Sequence, residues 1–238
     1  MDLTLAHTAA IGFLGGTFDP PHAGHLVLAR AAREDLKLNQ VCFVPTGQPW
    51  QKPHVTAATH RMRMTELAIE QQKGFVLDPR EIERGDASYT IDTLIALRQE
   101  LGPSRALIWI MGSDQLERLN TWHQWETLLD VAHIAVAWRN AAPPQLGKEM
   151  RTYYERHHAT ATEALQRSHG YFINIAMPPV DISATTLRAL LSRAASTLSA
   201  HEQEVLAHSI APRVLDYIRA HSLYSSRHTP FYNSRMEL

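Results

Sequence analysis

Short apolar runs rich in β-branched and aromatic residues recur along the chain, and stretches of helical periodicity separate most of them. The runs AAIGFLG (9–15), QVCFVPT (40–46), GFVLDP (74–79), ALIWIMG (106–112), HIAVAWR (133–139) and YFINIAM (171–177) are continuous rather than alternating. That pattern predicts strands buried on both faces. Residues 23–36 set Leu26, Ala29, Ala32 and Leu36 on one helical face with charges opposite. Residues 59–72, 90–101, 123–130, 184–195 and 211–221 read the same way. Strand–helix alternation of this kind implies an α/β fold, a doubly wound parallel sheet flanked by helices. Ligands in such sheets bind at the carboxyl ends of the strands, near a switch in strand order. Between 140 and 170 the sequence NAAPPQLGKEM reads as a Pro-rich loop followed by a helix. Residues 1–224 read as one domain, and the tail 225–238 has no periodicity.

Composition narrows the possibilities. A chain of 238 residues suits one α/β domain with a substantial core. Apolar residues at 45%, charged residues at 20% and a net charge of -1 are ordinary for a globular protein. Without a basic excess, electrostatic binding of a nucleic-acid backbone is not expected. No apolar run approaches the roughly 20 residues of a membrane helix. The start MDLTLAHTAAIGF carries Asp2 where a secretory signal has Lys or Arg, and shows no cleavage site. The single cysteine, Cys42, lies in an apolar run and has no partner for an internal disulfide. The expected location is the cytoplasm. Of 14 histidines, only His22, His25 and His123 lie among other suggestive residues.

The stretch GGTFDPPHAGH (15–25) joins the first expected strand to the first expected helix. Gly15 and Gly16 let backbone approach a ligand closely and accept a positive φ. Their amides, with those of Thr17 and Phe18, could form an anion nest. Pro20 and Pro21 stiffen the turn before the helix. His22 and His25 fall at the helix start, where negative charge is favoured. Three readings compete: a shaped turn with capping histidines, a metal site, and a phosphate cradle. A metal site lacks the Cys pair or carboxylate that would complete a ligand set. Phosphoryl transfer needs mainly positioning and charge stabilisation, which two imidazoles beside a glycine nest can supply. The phosphate reading is favoured, although no Walker Gly-Lys-Ser/Thr follows.

Later stretches carry chemistry of their own. In ISATTLR (182–188), Ser183 can cap a helix, and Arg188, placed on its first turns, can fork onto phosphate oxygens. In MGSDQL (111–116), Gly112 permits close approach, and Asp114 can accept from a ribose or base or serve as an N-cap. In TWHQWE (121–126), Trp122 and Trp125 read as core or groove-lining aromatics.

GGTFDPPHAGH resembles the signature of the nucleotidylyltransferase superfamily, and its flanking residues resemble the nicotinate mononucleotide adenylyltransferase branch. SYTIDTL (88–94), MGSDQLERLNTWHQWE (111–126) and ISATTLR match that branch in the expected order. The resemblance implies a Rossmann-like enzyme of NAD biosynthesis that transfers AMP from ATP to nicotinate mononucleotide. It assigns catalysis to His22, His25 and Arg188. ATP binding falls to Gly15, Gly16, Thr17, Phe18, His22, His25, Gly112, Asp114, Ser183 and Arg188. It sets the nicotinate ring against Trp122 and its carboxylate near Tyr89 and Thr90. A helix N-terminus suits that carboxylate and gives an amide no special benefit. Mg²⁺ is expected to arrive with ATP, with no protein metal site and no tightly bound cofactor. The chain departs from the branch at PWQKP (49–53), where relatives carry Pro-Pro-His-Lys. Gln51 takes the histidine position, and Lys52 is the candidate for the substrate phosphate. Arg139 falls where relatives have an Arg.

Other readings remain. Adenylyl transfer to phosphopantetheine or cytidylyl transfer to a sugar phosphate would not need Trp122 beside a Tyr–Thr pair. A class I aminoacyl-tRNA synthetase would need a Lys-Met-Ser-Lys-like loop and an anticodon domain, which are lacking. A nucleotide-binding regulator without chemistry is the reading from another class; His22, His25 and Arg188 argue against it. Homo-oligomerisation is left open.

Overall fold

The computed structural model describes residues 10–49, 55–138 and 144–225. Six strands form one sheet: β1 (Ile11–Gly16), β2 (Val41–Pro45), β3 (Phe75–Leu77), β4 (Leu107–Gly112), β5 (His133–Trp138) and β6 (Phe172–Ala176). Their spatial order is β3-β2-β1-β4-β5-β6, and every pair is parallel. The chain winds outward from β1 to β3 and then restarts at β4 on the other side of β1. The reversal opens a crevice at the carboxyl ends of β1 and β4.

The continuous apolar runs are explained by burial on both sides. On one face Phe13, Cys42, Val44, Trp109, Met111, Ile134 and Val136 belong to one buried cluster. That cluster is completed by α4 (Thr90–Leu101), through Ile91, Leu94 and Leu97, and by Met150 and Tyr154 of α6 (Lys148–Arg156). The alternate strand residues Leu14, Val41, Phe43, Ile108, Ile110, Ala135 and Ala137 pack with Leu28, Ala29 and Ala32 of α1 (Ala23–Asp35). A third cluster joins Met64 and Ala68 of α2 (Ala58–Ile69) to the C-terminal helices α8 (Ala184–Leu191), α9 (Ala200–Ser209) and α10 (Pro212–Ala220). Three short helices complete the α set: α3 (Arg80–Arg84), α5 (Ser113–Leu116) and α7 (Ala161–Ala164).

Some elements differ from the sequence expectation. The helix expected over 123–130 is a 3₁₀ helix, Trp125–Asp130, entered through Gln124 at φ 50°. Trp122, Trp125 and Leu128 all pack on the same core cluster. Trp125 and Leu128, three apart, lie on one stripe of that 3₁₀ helix, and Trp122 precedes it. The helix of 184–195 ends at Leu191, and α3 and α9 were not anticipated. Residues 144–147 of the Pro-rich segment lead into a helix, α6, and residues 140–143 lie outside the described residues. Residues 226–238, most of the expected tail, lie outside the described residues. No described helix is long and apolar enough to cross a membrane.

Candidate functional site

The first wall of the crevice comes from the end of β1. A Cβ at Gly15 would fall 2.1 Å from Cζ2 of Trp109, and one at Gly16 would fall 2.9 Å from the Phe18 ring. Close packing therefore demands glycine at both positions. Neither residue has the positive φ that the sequence reading allowed; the left-handed residue of this turn is Phe18, at φ 50°. Its side chain is buried beneath the turn, with the ring edge-on to His25 at 4.9 Å. Phe18 thus supports an imidazole instead of facing the crevice.

His22 is the N-cap of α1 in extended backbone geometry. Its N–H donates to Nδ1 of His25 at 3.1 Å. An accepting Nδ1 leaves the ring proton of neutral His25 on Nε2, so that nitrogen is the donor of the ring. The two imidazoles stack with centroids 3.8 Å apart and planes at 30°. Local sequence explains the pair: positions Ncap and N3 of one helix bring both rings over its first turn, where the helix dipole favours an anion.

The second wall follows β4. Trp109 is buried, and Gly112 is the N-cap of α5, which puts Asp114 in the first turn and not at the cap. Oδ2 of Asp114 accepts from Gln115 Nε2 at 3.0 Å. Trp122 is half-buried against the core, and its Nε1 has no hydrogen-bond partner among the described residues. Trp125 packs edge-on to Tyr153 at 5.0 Å, a structural role as expected. The third wall is the start of α4. Tyr89 is its N-cap, supplies no side-chain cap hydrogen bond, and lays its ring 4.5 Å from His123.

These walls enclose one cleft of about 340 Å³. It brings together ten of the anticipated residues: Gly15, Gly16, Thr17, His22, His25, Tyr89, Thr90, Gly112, Asp114 and Trp122. Ser183 and Arg188 do not line it. The Ser183 hydroxyl caps α8 by accepting from Thr186 N at 3.1 Å. Arg188 lies in the last turn of that helix, not its first; Nη1 donates to the Asp19 carbonyl at 2.8 Å and Nη2 to Thr185 Oγ1 at 3.3 Å. Gln51, Lys52 and Arg139 lie outside the described residues.

Sequence reasoning missed several residues here. Trp109, Glu81, Arg118 and Met177 also line the cleft, as does His123, which the sequence singled out without a role. Glu81 is buried; burial raises its carboxyl above the ordinary range, while Thr93 Oγ1, donating at 2.8 Å, works against that rise. Arg61, wholly buried on α2, donates to the carbonyls of Thr56 at 2.8 Å, Thr17 at 2.9 Å and Gly47 at 2.9 Å. It fastens the turns after β1 and β2 to each other. Burial lowers the pKa of its guanidinium, and Asp19 partly restores it. An Arg three residues into a helix carries no sequence mark of such a task; only its acceptors, backbone carbonyls from distant turns, reveal it. Among the described residues there is no group of three or more His, Cys, Asp or Glu side chains able to hold a metal ion.

Comparison with known proteins places this geometry in context. Residues 13–190 match the cytidylyltransferase-like family. A protein of Laribacter hongkongensis named "Probable nicotinate-nucleotide adenylyltransferase" is 39% identical over 230 residues, covering 94% of this chain and 98% of its own length. An Aeromonas salmonicida protein of the same name is 40% identical over 220 residues, covering 92% of this chain and 98% of its own length. Among solved structures, Plasmodium falciparum nicotinic acid mononucleotide adenylyltransferase complexed with NaAD shares the fold at TM-score 0.69 and 19% identity, covering 91% of this chain and 97% of that one. The same enzyme complexed with APC gives 0.66.

Proposed function

The chain belongs to the nicotinate-nucleotide adenylyltransferases, within the cytidylyltransferase-like family, and from that premise we propose how its cleft carries out adenylyl transfer. The reaction joins ATP and nicotinate mononucleotide into deamido-NAD and releases pyrophosphate, a step of NAD biosynthesis. An oxygen of the acceptor's 5′-phosphate attacks the α-phosphorus of ATP in line. The P–O bond to the β-phosphate breaks, and its electron pair leaves with pyrophosphate. The attacking oxygen is already anionic at neutral pH, so no general base is needed.

The observation that carries the reading is the stacked pair His22 and His25 at the β1–β4 switch, in one cleft with Gly112, Asp114, Tyr89, Thr90 and Trp122. Donors fixed before reaction stabilise charge that grows in the transition state, without reorganisation. His25 offers Nε2–H to the α-phosphoryl oxygens, and His22 assists on the side of the departing pyrophosphate. Gly15 and Gly16, with the amides of Thr17 and Phe18, let the phosphates come close to the backbone. Arg188 and Ser183 act on the outer phosphates from α8. A guanidinium has five N–H donors; Arg188 spends one on Asp19 and one on Thr185, which leaves three for phosphate. Gly112 and Asp114 receive the nucleoside.

The pyridine ring lies on Trp122 and its carboxylate at the start of α4. That helix lacks a side-chain cap from Tyr89, so a substrate carboxylate can serve its first amides. Lys52 is the proposed partner of the substrate phosphate. Mg²⁺ belongs to the substrate as its ATP complex, since it keeps its waters and prefers phosphate oxygens. Residues 1–224 act as one catalytic unit.

The direct test is release of pyrophosphate by purified protein given ATP, Mg²⁺ and nicotinate mononucleotide. Release that requires all three supports the assignment, and its absence overturns it.

A further inference from the structure

Asp19 of GGTFDPP, three residues before His22, is only 3% exposed. Its three oxygens are each held from a different part of the chain. Its Oδ2 accepts from Thr56 N at 3.1 Å, ahead of α2. Its backbone carbonyl accepts from Arg188 Nη1 at 2.8 Å, on α8. Its Oδ1 accepts from the Tyr224 hydroxyl at 2.5 Å, 205 residues away in sequence.

The path of the chain to Tyr224 is itself unusual. After α10 the backbone turns back through Ser222 at φ 50° and Tyr224 at φ 66°, both in the left-handed region and neither of them glycine. Residues hold such conformations only when the surroundings over-determine them. The Tyr224 hydroxyl is that anchor, reaching Asp19 and also lying 3.9 Å from Met64 Sδ. Burial and the neighbouring Asp19 raise the Tyr224 pKa far above the ordinary phenol range, so the hydroxyl remains a proton donor.

We infer that Tyr224 is a positioning residue for nucleotide binding: through Asp19 it fixes the turn that carries His22 and the carbonyl that aims Arg188. The inference rests on the adenylyl-transfer reading and adds to it a residue from the far end of the chain. Loss of the Tyr224 hydroxyl leaves Asp19 Oδ1 buried with one donor fewer, and an unmade buried hydrogen bond is costly. Asp19 then shifts, and the Arg188 guanidinium shifts with its carbonyl. The effect falls on ATP, which Arg188 serves, and spares nicotinate mononucleotide, which is held at the opposite wall.

The experiment compares the full chain with Tyr224→Phe, Asp19→Asn and the double variant. Isothermal titration with ATP gives Kd, steady-state pyrophosphate release gives kcat and both KM values, and melting curves monitor folding. Expected for Tyr224→Phe are an ATP Kd raised about fivefold or more, and a kcat lowered roughly tenfold as for a displaced positioning contact. KM for nicotinate mononucleotide stays within about twofold, and Asp19→Asn adds little to the loss. A merely structural role would reduce the folded fraction yet leave Kd and both KM values of the remaining enzyme unchanged; that result overturns the inference. Additive losses at the two positions also overturn it. If Tyr224→Phe fails to fold, the comparison of Asp19→Asn with the wild type decides by the same split. If the wild type binds ATP but releases no pyrophosphate, the activity assignment falls alone, and the inference is still decided by the ATP Kd.

Discussion

Gly15 shows how one position serves packing and chemistry together. The absent Cβ admits the indole edge of Trp109 from the neighbouring strand, and the resulting flat floor lies open to the cleft. Gly15→Ala is therefore expected to lower stability by about 1–3 kcal/mol, the usual cost of overpacking. On a Trp109→Phe background, where the indole edge is gone, the same change should cost clearly less. Chemical denaturation of the four variants measures this, and equal losses in both backgrounds would remove the contact as the cause. The histidines are expected to act on chemistry instead: His22→Ala or His25→Ala should cut turnover roughly 10²-fold, as for a lost transition-state donor. Near-normal turnover would return both to capping. The places of His22, His25 and Trp122 at the cleft were legible in sequence because each follows the end of an apolar strand run, where a parallel sheet binds ligands. Asp19 and Arg61 were not, because what they do depends on backbone groups that only the fold brings near.

Among the elements, the strands were legible because burial on both faces leaves continuous apolar runs, and all six were found close to their expected bounds. Helices were harder where packing rather than period determines them. The α9 segment AHEQEVLAHS has few apolar positions, so only its capping pair, Ser199 with Glu202, marked it. The two helix starts facing substrate differ in a way that makes a prediction. Ser183 caps α8 itself, whereas Tyr89 leaves α4 without a side-chain cap. An acid at α4 gains the dipole attraction, about 0.3–1 kcal/mol for an exposed group and more when partly buried. Nicotinate mononucleotide should thus exceed nicotinamide mononucleotide in kcat/KM by at least about twofold. Parallel initial-rate series with the two acceptors measure the ratio, and equal values would remove the carboxylate from this helix.

Across the whole molecule, the cleft and the Arg61 and Asp19 anchors lie at the carboxyl ends of the strands, and a second set of anchors lies at their amino ends. There Arg98 donates to the carbonyls of Gly102, Arg105, Val131 and Ser168, joining the approaches to β4, β5 and β6. His133, buried at the start of β5, belongs to the same end. Its Nδ1 accepts from Tyr171 N at 3.3 Å and its Nε2 meets the Arg167 carbonyl at 3.0 Å, so the ring is neutral with its proton on Nε2. A second ring proton would point at the Tyr171 N–H. Burial first, opposed by the Arg167 carbonyl, leaves its pKa lowered from 6.5. The unfolded chain therefore binds this proton more readily than the folded one. The His133 contribution is complete above pH 6.5 and is lost as pH falls below 6.5 toward the folded value. Glu81 works in the opposite sense, because its raised folded pKa relieves a burial penalty as pH falls toward 4.5. The wild-type slope is thus a difference of two effects, and a variant is needed to separate them. His133→Gln keeps a donor and an acceptor without a titrating ring. Its Tm should fall less than that of the wild type between pH 7.5 and about pH 5.5, below the ordinary histidine pKa. Because His133 lies at the end of the sheet away from the cleft, kcat at pH 7.5 should stay within about twofold of the wild type, as for independent sites. Parallel slopes for the two proteins would remove His133 from the acid response.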